Sequence, residues 1–369
     1  MNKKKSICID ARMINNSGIG RYIQGLLKGF KNSNFKIYLI LNKNFLTGNE
    51  WLNNFEIIHS DVKIYSIKEQ IVLPFLIPKC DLFFSPHFNI PFFKIRAKKR
   101  VATIHDVYHL AFAKDFSFLE RWYAKFFIKQ TLKKSSKVIT VSNFSKIEIL
   151  KYFKKYEEKL NVIHNGVDLN FFNFIEDEIL INKTSDKLNL PGKYFLFVGN
   201  LKKHKNLQNV IRSFEILEKE FNDINLVIVG NNKNMNNPID IEKFLLKDKI
   251  LWLENISDNE LKVIYQKSIA LVFPSFYEGF GYPAIEAFAM KTTAIVSNFA
   301  SLPEICGNGA IYVNPFDISN IYEVMKKILT DENIKKILLA ASDVKLKNFN
   351  IEKCIDKHLN LFEEILNES

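Results

Sequence analysis

Short runs of β-branched and aromatic residues alternate with longer helical patterns along the whole chain. In the first half the runs are Ser6–Asp10, Lys36–Leu41, Val62–Tyr65, Asp81–Ser85, Arg100–Ile104, Val138–Val141 and Val162–His164. In the second they are Tyr194–Val198, Asn225–Val229, Ile250–Leu253, Ala270–Phe273, Thr293–Val296 and Ile311–Val313. Near-continuous apolar runs set between helices predict parallel strands covered on both faces. Each half holds five or more such units, enough for a doubly wound α/β domain of its own. The alternation breaks near Asp168–Leu190, where an acidic, Asn-rich stretch interrupts it. The pattern therefore predicts two Rossmann-like domains, residues 1–170 and 171–349; a C-terminal helix over about 350–369 is expected to pack back on the first. Two such domains create a cleft facing the carboxyl ends of both sheets, where ligands bind in this class.

Composition narrows the class. A chain of 369 residues with 47% hydrophobic and 25% charged positions is ordinary globular material and excludes extensive disorder. The cysteines Cys8, Cys80, Cys306 and Cys354 are scattered with no C-x-x-C pair, which argues against a disulfide scaffold and a zinc ribbon. They read as buried, reduced thiols in a cytoplasmic protein. The basic start, Met1–Lys5, is followed only by Ser6–Ile9 before Asp10, too short a run for a secretory leader. No stretch approaches the ~20 apolar residues of a membrane span, and Gln70–Ile77 is short and contains Pro74. A soluble or peripheral protein is expected.

Charge is uneven. Residues 1–175 hold 29 basic and 13 acidic side chains, whereas residues 176–369 hold 23 and 27. A basic amino-terminal half suggests an anionic partner. Its densest stretches are Lys94–Arg100 and Arg121–Lys137. In the second, Trp122, Phe126, Phe127 and Leu132 interleave with Lys125, Lys129 and Lys133, the composition of a basic amphipathic helix at a membrane interface. An ordinary surface helix has the same composition. Nucleic acid is the weakest of the three readings, because no nucleic-acid motif accompanies the charge.

Glycine is scarce, 13 in the whole chain, so its clusters are informative. Gly18 and Gly20 follow the first strand, with Arg21 beside them; Gly279 and Gly281 follow the strand ending at Phe273. Each cluster precedes a helical pattern, where free backbone N–H groups make an anion or phosphate site. The first lacks the third glycine of a dinucleotide fingerprint, and a plain turn serves equally. In the second, Pro283 suits a first helical turn, and Glu278 and Glu286 bracket the glycines. Glu286 falls inside the apolar run Pro283–Met290, an odd place for a carboxylate without a partner. The pair could accept hydrogen bonds from ligand hydroxyls; alternatively, Glu286 faces solvent and Glu278 caps the helix.

Tyr277–Glu286 (YEGFGYPAIE) resembles the E-x7-E signature of the retaining glycosyltransferases of family 4, which have the GT-B fold. Ser17–Tyr22 (SGIGRY), His105–Asp106, Val141–Ser145 (VSNFS), Ile163–Asp168 (IHNGVD), Val198–Leu207 (VGNLKKHKNL), Phe273–Ser275 and Ser301–Glu304 (SLPE) follow in family order. The resemblance implies that Glu278 contacts donor-sugar hydroxyls and Glu286 the nucleotide ribose. It implies that the amides of Phe280, Gly281 and Tyr282 hold the sugar and diphosphate, and that Lys205 neutralises the leaving diphosphate. His105, with Asp106, would sit near the anomeric carbon on the acceptor side. Gly18, Gly20 and Arg21 would border phosphates of donor or acceptor, with the Ser142–Asn143 turn shaping that side. His87 and His109 lie nearby and are equally capable of a structural role.

One departure stands out. Family members place an arginine where this chain has Asn200 or His204; Lys202 or Lys203 would substitute, although an ammonium is not a planar fork. No strict D-x-D occurs, the nearest being Asp240-x-Glu242, so no metal is expected at the diphosphate. The resemblance is greatest to bacterial mannosyltransferases of surface-polysaccharide synthesis. It implies a GDP-mannose donor, a lipid-linked glycan acceptor and a peripheral place on the inner face of the cytoplasmic membrane. A UDP- or dTDP-sugar transferase is the first alternative, and a non-catalytic basic binder of membrane or nucleic acid the second.

Overall fold

A computed structural model describes residues 4–46, 49–231 and 246–368. The chain forms two compact units, one of residues 1–166 with 351–369 and the other of residues 167–350. The nearest D-x-D approximation, Asp240–Glu242, lies outside the described residues.

The first unit runs β1 (Ser6–Asp10), α1 (Ser17–Phe30), β2 (Lys36–Leu41), β3 (Glu56–His59), α2 (Ile67–Leu76), β4 (Cys80–Ser85) and β5 (Ala97–Ile104). It continues through α3 (Tyr108–Ala111), α4 (Phe118–Lys134), β6 (Lys137–Thr140), α5 (Asn143–Phe153) and β7 (Leu160–Val162). All neighbours pair in parallel, in the order β3-β2-β1-β4-β5-β6-β7. Strand order reverses between β1 and β4.

The second unit runs α6 (Glu178–Leu188), β8 (Tyr194–Val198), α7 (Leu207–Glu218), β9 (Asn225–Val229), β10 (Ile250–Leu253), α8 (Asp258–Lys267) and β11 (Ala270–Phe273). It then gives α9 (Tyr282–Ala289), β12 (Ala294–Ser297), α10 (Leu302–Cys306), β13 (Ala310–Val313), α11 (Ile318–Thr330) and α12 (Glu332–Leu346). Its sheet is also parallel, ordered β10-β9-β8-β11-β12-β13, with the reversal between β8 and β11. A final helix, α13 (Ile351–Asn367), belongs to the first unit.

Each unit is thus the doubly wound α/β sheet that the alternation predicts. The strands are buried because helices cover both faces: Phe195, Leu196 and Phe197 on β8 are all buried, although their side chains alternate between faces. Two sequence expectations change. Val62–Tyr65 is not a strand; Tyr65 has φ 64°, which no strand accommodates. The edge strand is Glu56–His59, whose two isoleucines gave too short a pattern to stand out but pair with Tyr38–Leu41. The acidic stretch after residue 175 is a helix, α6, capped by the Asp177 side chain and ended by Asn189 in the left-handed conformation.

Helices α1 and α13 pack through glycine. A Cβ on Gly25 would lie 2.9 Å from Ile351 Cδ1, and one on Gly29 2.3 Å from Ile355 Cδ1. The small residues let the helices close on Ile351, Cys354, Ile355, His358 and Phe362, all buried at helical spacing.

Candidate active site

In doubly wound sheets, ligands bind beyond the carboxyl ends of the strands at the point where strand order reverses. In the second unit this is the edge of β8 and β11, and the loops there carry the residues singled out in the sequence. Lys205 ends a 3-10 turn after β8 and Glu278 lies in the loop after β11. Lys205 Nζ meets Glu278 Oε1 at 2.6 Å, with side chains 12% and 10% exposed, and lies 5.2 Å from the centre of the Phe273 ring. Glu278 pairs with Lys205 rather than capping the helix. Asn206 holds the turn, its amide donating to the carbonyls of Pro274 and Pro315 at 3.0 and 2.7 Å. Asn200, Lys202 and Lys203 are exposed on the approach, and His204 is half-buried, its carbonyl accepting from the Phe276 amide.

Gly281 is the N-cap of α9 with φ 97°. A side chain there would be strained by that backbone and would meet Leu302 Cδ2 at 2.6 Å. The turn brings Phe280, Gly281 and Tyr282 to the positive end of the helix. Ser301 braces it from behind, its hydroxyl donating to the Phe280 carbonyl at 3.2 Å. Glu286, one turn into α9, is 2% exposed, so it does not face solvent. Its Oε2 accepts from the buried Tyr265 hydroxyl at 3.0 Å.

In the first unit, His105 follows β5. Its Nε2 donates to the Pro86 carbonyl at 2.9 Å and its ring meets Tyr22 edge-on at 4.9 Å. Burial lowers its pKa against the pull of that carbonyl, leaving a neutral imidazole. Asp106 accepts from the Tyr108 amide at 3.0 Å. Ser142 is the N-cap of α5, its hydroxyl accepting from the Ser145 amide at 3.0 Å, and Asn143 is the first, exposed residue of that helix. Ser145 in turn donates to the His105 carbonyl at 2.9 Å. Gly18 and Gly20 lie not in a loop but in the first turn of α1, just ahead of Arg21. Gly20 is there for packing, since a Cβ would sit 2.4 Å from the Ile14 carbonyl oxygen.

Sequence reasoning missed the other half of this edge. At the β1/β4 reversal, Arg12 Nε and Nη2 donate to the two Asp10 oxygens at 2.7 and 2.6 Å, and Nη2 also reaches Glu69 Oε1 at 2.6 Å. His87 Nδ1 accepts from the Asn89 amide, so Nε2 carries the proton and donates to Asp10 at 3.3 Å. Burial raises the Asp10 carboxyl, but the Arg12 guanidinium and His87 outweigh it and hold it well below the usual range. The legible signal was an aspartate closing an apolar strand with an arginine two residues on. Among the described residues, no three His, Cys, Asp or Glu side chains are grouped to hold a metal ion.

Residues 16–171 match the family described as Glycosyltransferase Family 4, and residues 180–342 the one described as Glycosyl transferases group 1. The O-antigen chain mannosyltransferase RfbU of Salmonella typhimurium is 35% identical over 247 residues, 66% of this chain. The match spans only 63% of that relative's length. A glycosyltransferase structure from Rickettsia africae covers 100% of both chains with a TM-score of 0.79 at 21% identity. HepE from Anabaena, solved in complex with UDP-glucose, gives a TM-score of 0.79 at 14% identity, covering 97% of this chain and 99% of its own. At such identities the structures show the fold, two Rossmann-like domains of the GT-B class. With both family matches in chain order, the protein belongs to glycosyltransferase family 4.

Proposed function

We propose that the protein is a retaining, metal-independent hexosyltransferase that moves mannose from GDP-mannose to a growing bacterial glycan, in lipopolysaccharide or capsule, on a lipid-linked acceptor. The observation that carries this reading is the Lys205–Glu278 pair beside the Gly281 turn at the β8/β11 reversal. A diphosphate arriving at the N-terminus of α9 would compete with Glu278 for the ammonium. Lys205 would then meet the charge that grows on the leaving group, a difference between ground and transition state that accelerates the reaction. The released Glu278 carboxylate would accept from sugar hydroxyls, and buried Glu286, steadied by Tyr265, would accept from the ribose. Neutral His105 serves as a hydrogen-bonding group on the acceptor side of the reaction; the departing phosphate assists proton removal from the acceptor. Asn200 and the neighbouring Lys202 and Lys203 are the groups near the second phosphate charge.

A peripheral position on the inner face of the cytoplasmic membrane is supported by two helices of the first unit. On α2, Ile67, Ile71 and Phe75 follow a stripe at 84%, 54% and 80% exposure. On α4, Phe118, Leu119 and Trp122 are likewise exposed, with Lys125 and Lys129 beyond them. Apolar surface rimmed by lysine fits an anionic bilayer. Among the described residues, no helix is long and apolar enough to cross a membrane.

Thermal unfolding with GDP, UDP and dTDP, each at millimolar concentration without metal, tests the donor. Stabilisation by GDP alone is expected, about 2.7 kcal/mol at a hundred times Kd. A shift with UDP or dTDP instead keeps the transferase and replaces the donor. No shift with any of them favours a non-catalytic basic binder.

A further inference from the structure

The buried network of the first unit reaches beyond Asp10, Arg12 and His87. Glu69 lies on α2 and is fully buried. Besides Arg12, it accepts from the Tyr65 amide at 2.8 Å and from the Asn89 side-chain amide. Asn89 Oδ1 accepts from the Tyr123 hydroxyl at 2.8 Å. Enclosing two carboxylates and a guanidinium costs desolvation that apolar residues would not, so such a triad is weak evidence for stability and better evidence for positioning.

What the network positions is a set of rings. Tyr65 sits at φ 64°, a conformation that disfavours a bulky side chain, and Glu69 pins its amide there. Phe88 stacks on Tyr65 at 5.8 Å between centres and 30° between planes, and Tyr123 meets it edge-on at 6.2 Å. His109 meets Phe88 at 6.3 Å. Tyr65 nonetheless remains 45% exposed. Tyr65 and Phe88 lie in the loops after β3 and β4, and His109 on α3 just after β5, so the three converge at the carboxyl edge of the sheet, beside its order reversal. Asp106, in the loop after β5, is near enough for its charge to act on the Tyr65 phenol.

From this convergence we propose an acceptor subsite in the first unit, in which Tyr65 is the stacking platform for an uncharged pyranose ring and the Asp10–Arg12–Glu69 triad is its positioning frame. A half-exposed aromatic face offers a sugar ring a flat apolar partner for its C–H bonds. Asp10 and Glu69 share the single guanidinium of Arg12, so the frame holds more carboxylates than guanidinium groups; Asp106 adds a further carboxylate, so an uncharged ring is favoured over a uronate. The subsite rests on the transferase reading for its ligand to be an acceptor sugar.

The test uses the full chain and three probes, the methyl α-glycosides of mannose, glucose and galactose, followed by saturation-transfer NMR. At least one should bind saturably. Tyr65→Gly removes the ring and relieves the left-handed backbone; it should keep or raise Tm and weaken binding at least tenfold. Tyr65→Trp should restore binding to within about threefold. Glu69→Gln should weaken the same glycoside without changing the nucleotide-induced thermal shift. The proposal is overturned if no glycoside binds the wild type, if Tyr65→Gly binds as well as wild type, or if its Tm falls together with binding, since the ring would then be packing. A nucleotide-induced shift with no glycoside binding defeats the subsite alone, whereas absence of both defeats the transferase reading as well.

Discussion

At the scale of single residues, the two glutamates of the E-x7-E segment differ in what holds them. Glu278 is held by an ammonium that a phosphate can take, whereas Glu286 is held by the phenol of Tyr265 inside the second unit. Glu286→Ala is therefore expected to weaken free nucleotide binding, read as a smaller thermal shift. Glu278→Ala frees Lys205 for the phosphates, so it should keep or enlarge that shift while lowering kcat about a hundredfold, the scale of losing one well-placed transition-state contact. Transfer at the wild-type rate by both variants would make the segment decorative. These carboxylates were legible in the sequence because a charged residue in the apolar run of α9 needs a reason. Their partners were not, since Tyr265 and Lys205 lie 21 and 73 residues away, and only the strand crossovers bring them close.

At the scale of elements, α4 begins with a complete capping box, Ser117 and Glu120 each bonding the other's backbone amide. That cap, and the burial of Ala124, Phe127, Ile128, Thr131 and Leu132, fix which residues face outward. Lys125, Lys129 and Lys133 are exposed together. At roughly 1 kcal/mol for each lysine near an anionic surface, replacing all three with glutamine should lower partition into anionic vesicles by about a hundredfold at low salt. The difference should shrink as salt rises. Unchanged partition, measured by sedimentation with vesicles, would make α4 an ordinary surface helix. The α4 pattern was visible in the sequence. The α2 stripe was not, because Ile67, Ile71 and Phe75 look like core residues until the packing leaves them outside.

At the scale of the whole molecule, the chain's end is tied into its beginning. His358 on α13 is fully buried: its Nδ1 donates to the Cys354 carbonyl at 2.7 Å, and its Nε2 accepts from the Tyr22 hydroxyl at 2.7 Å. Tyr22 also meets the ring of His105, so α13 and the predicted catalytic histidine share one support. Burial pushes the His358 pKa down to about 4, below its ordinary value near 6.5. The unfolded chain therefore takes up this proton first on acidification. Stability from His358 is complete above about pH 6.5 and is lost as pH falls toward 4, on the order of 3 kcal/mol in all. Thermal unfolding of His358→Gln should show a flatter fall across that interval; an unchanged slope would place the acid sensitivity elsewhere. The sequence by itself determined the doubly wound halves, the family and the two carboxylates of the E-x7-E segment, because apolar periodicity and short motifs are local properties of the chain. Only the tertiary structure decided that Glu278 faces Lys205, that Arg12 joins Asp10 to Glu69, and that α13 meets α1 at Gly25 and Gly29. Those contacts depend on crossovers that bring distant residues to one sheet edge, and no local pattern records which of them will meet.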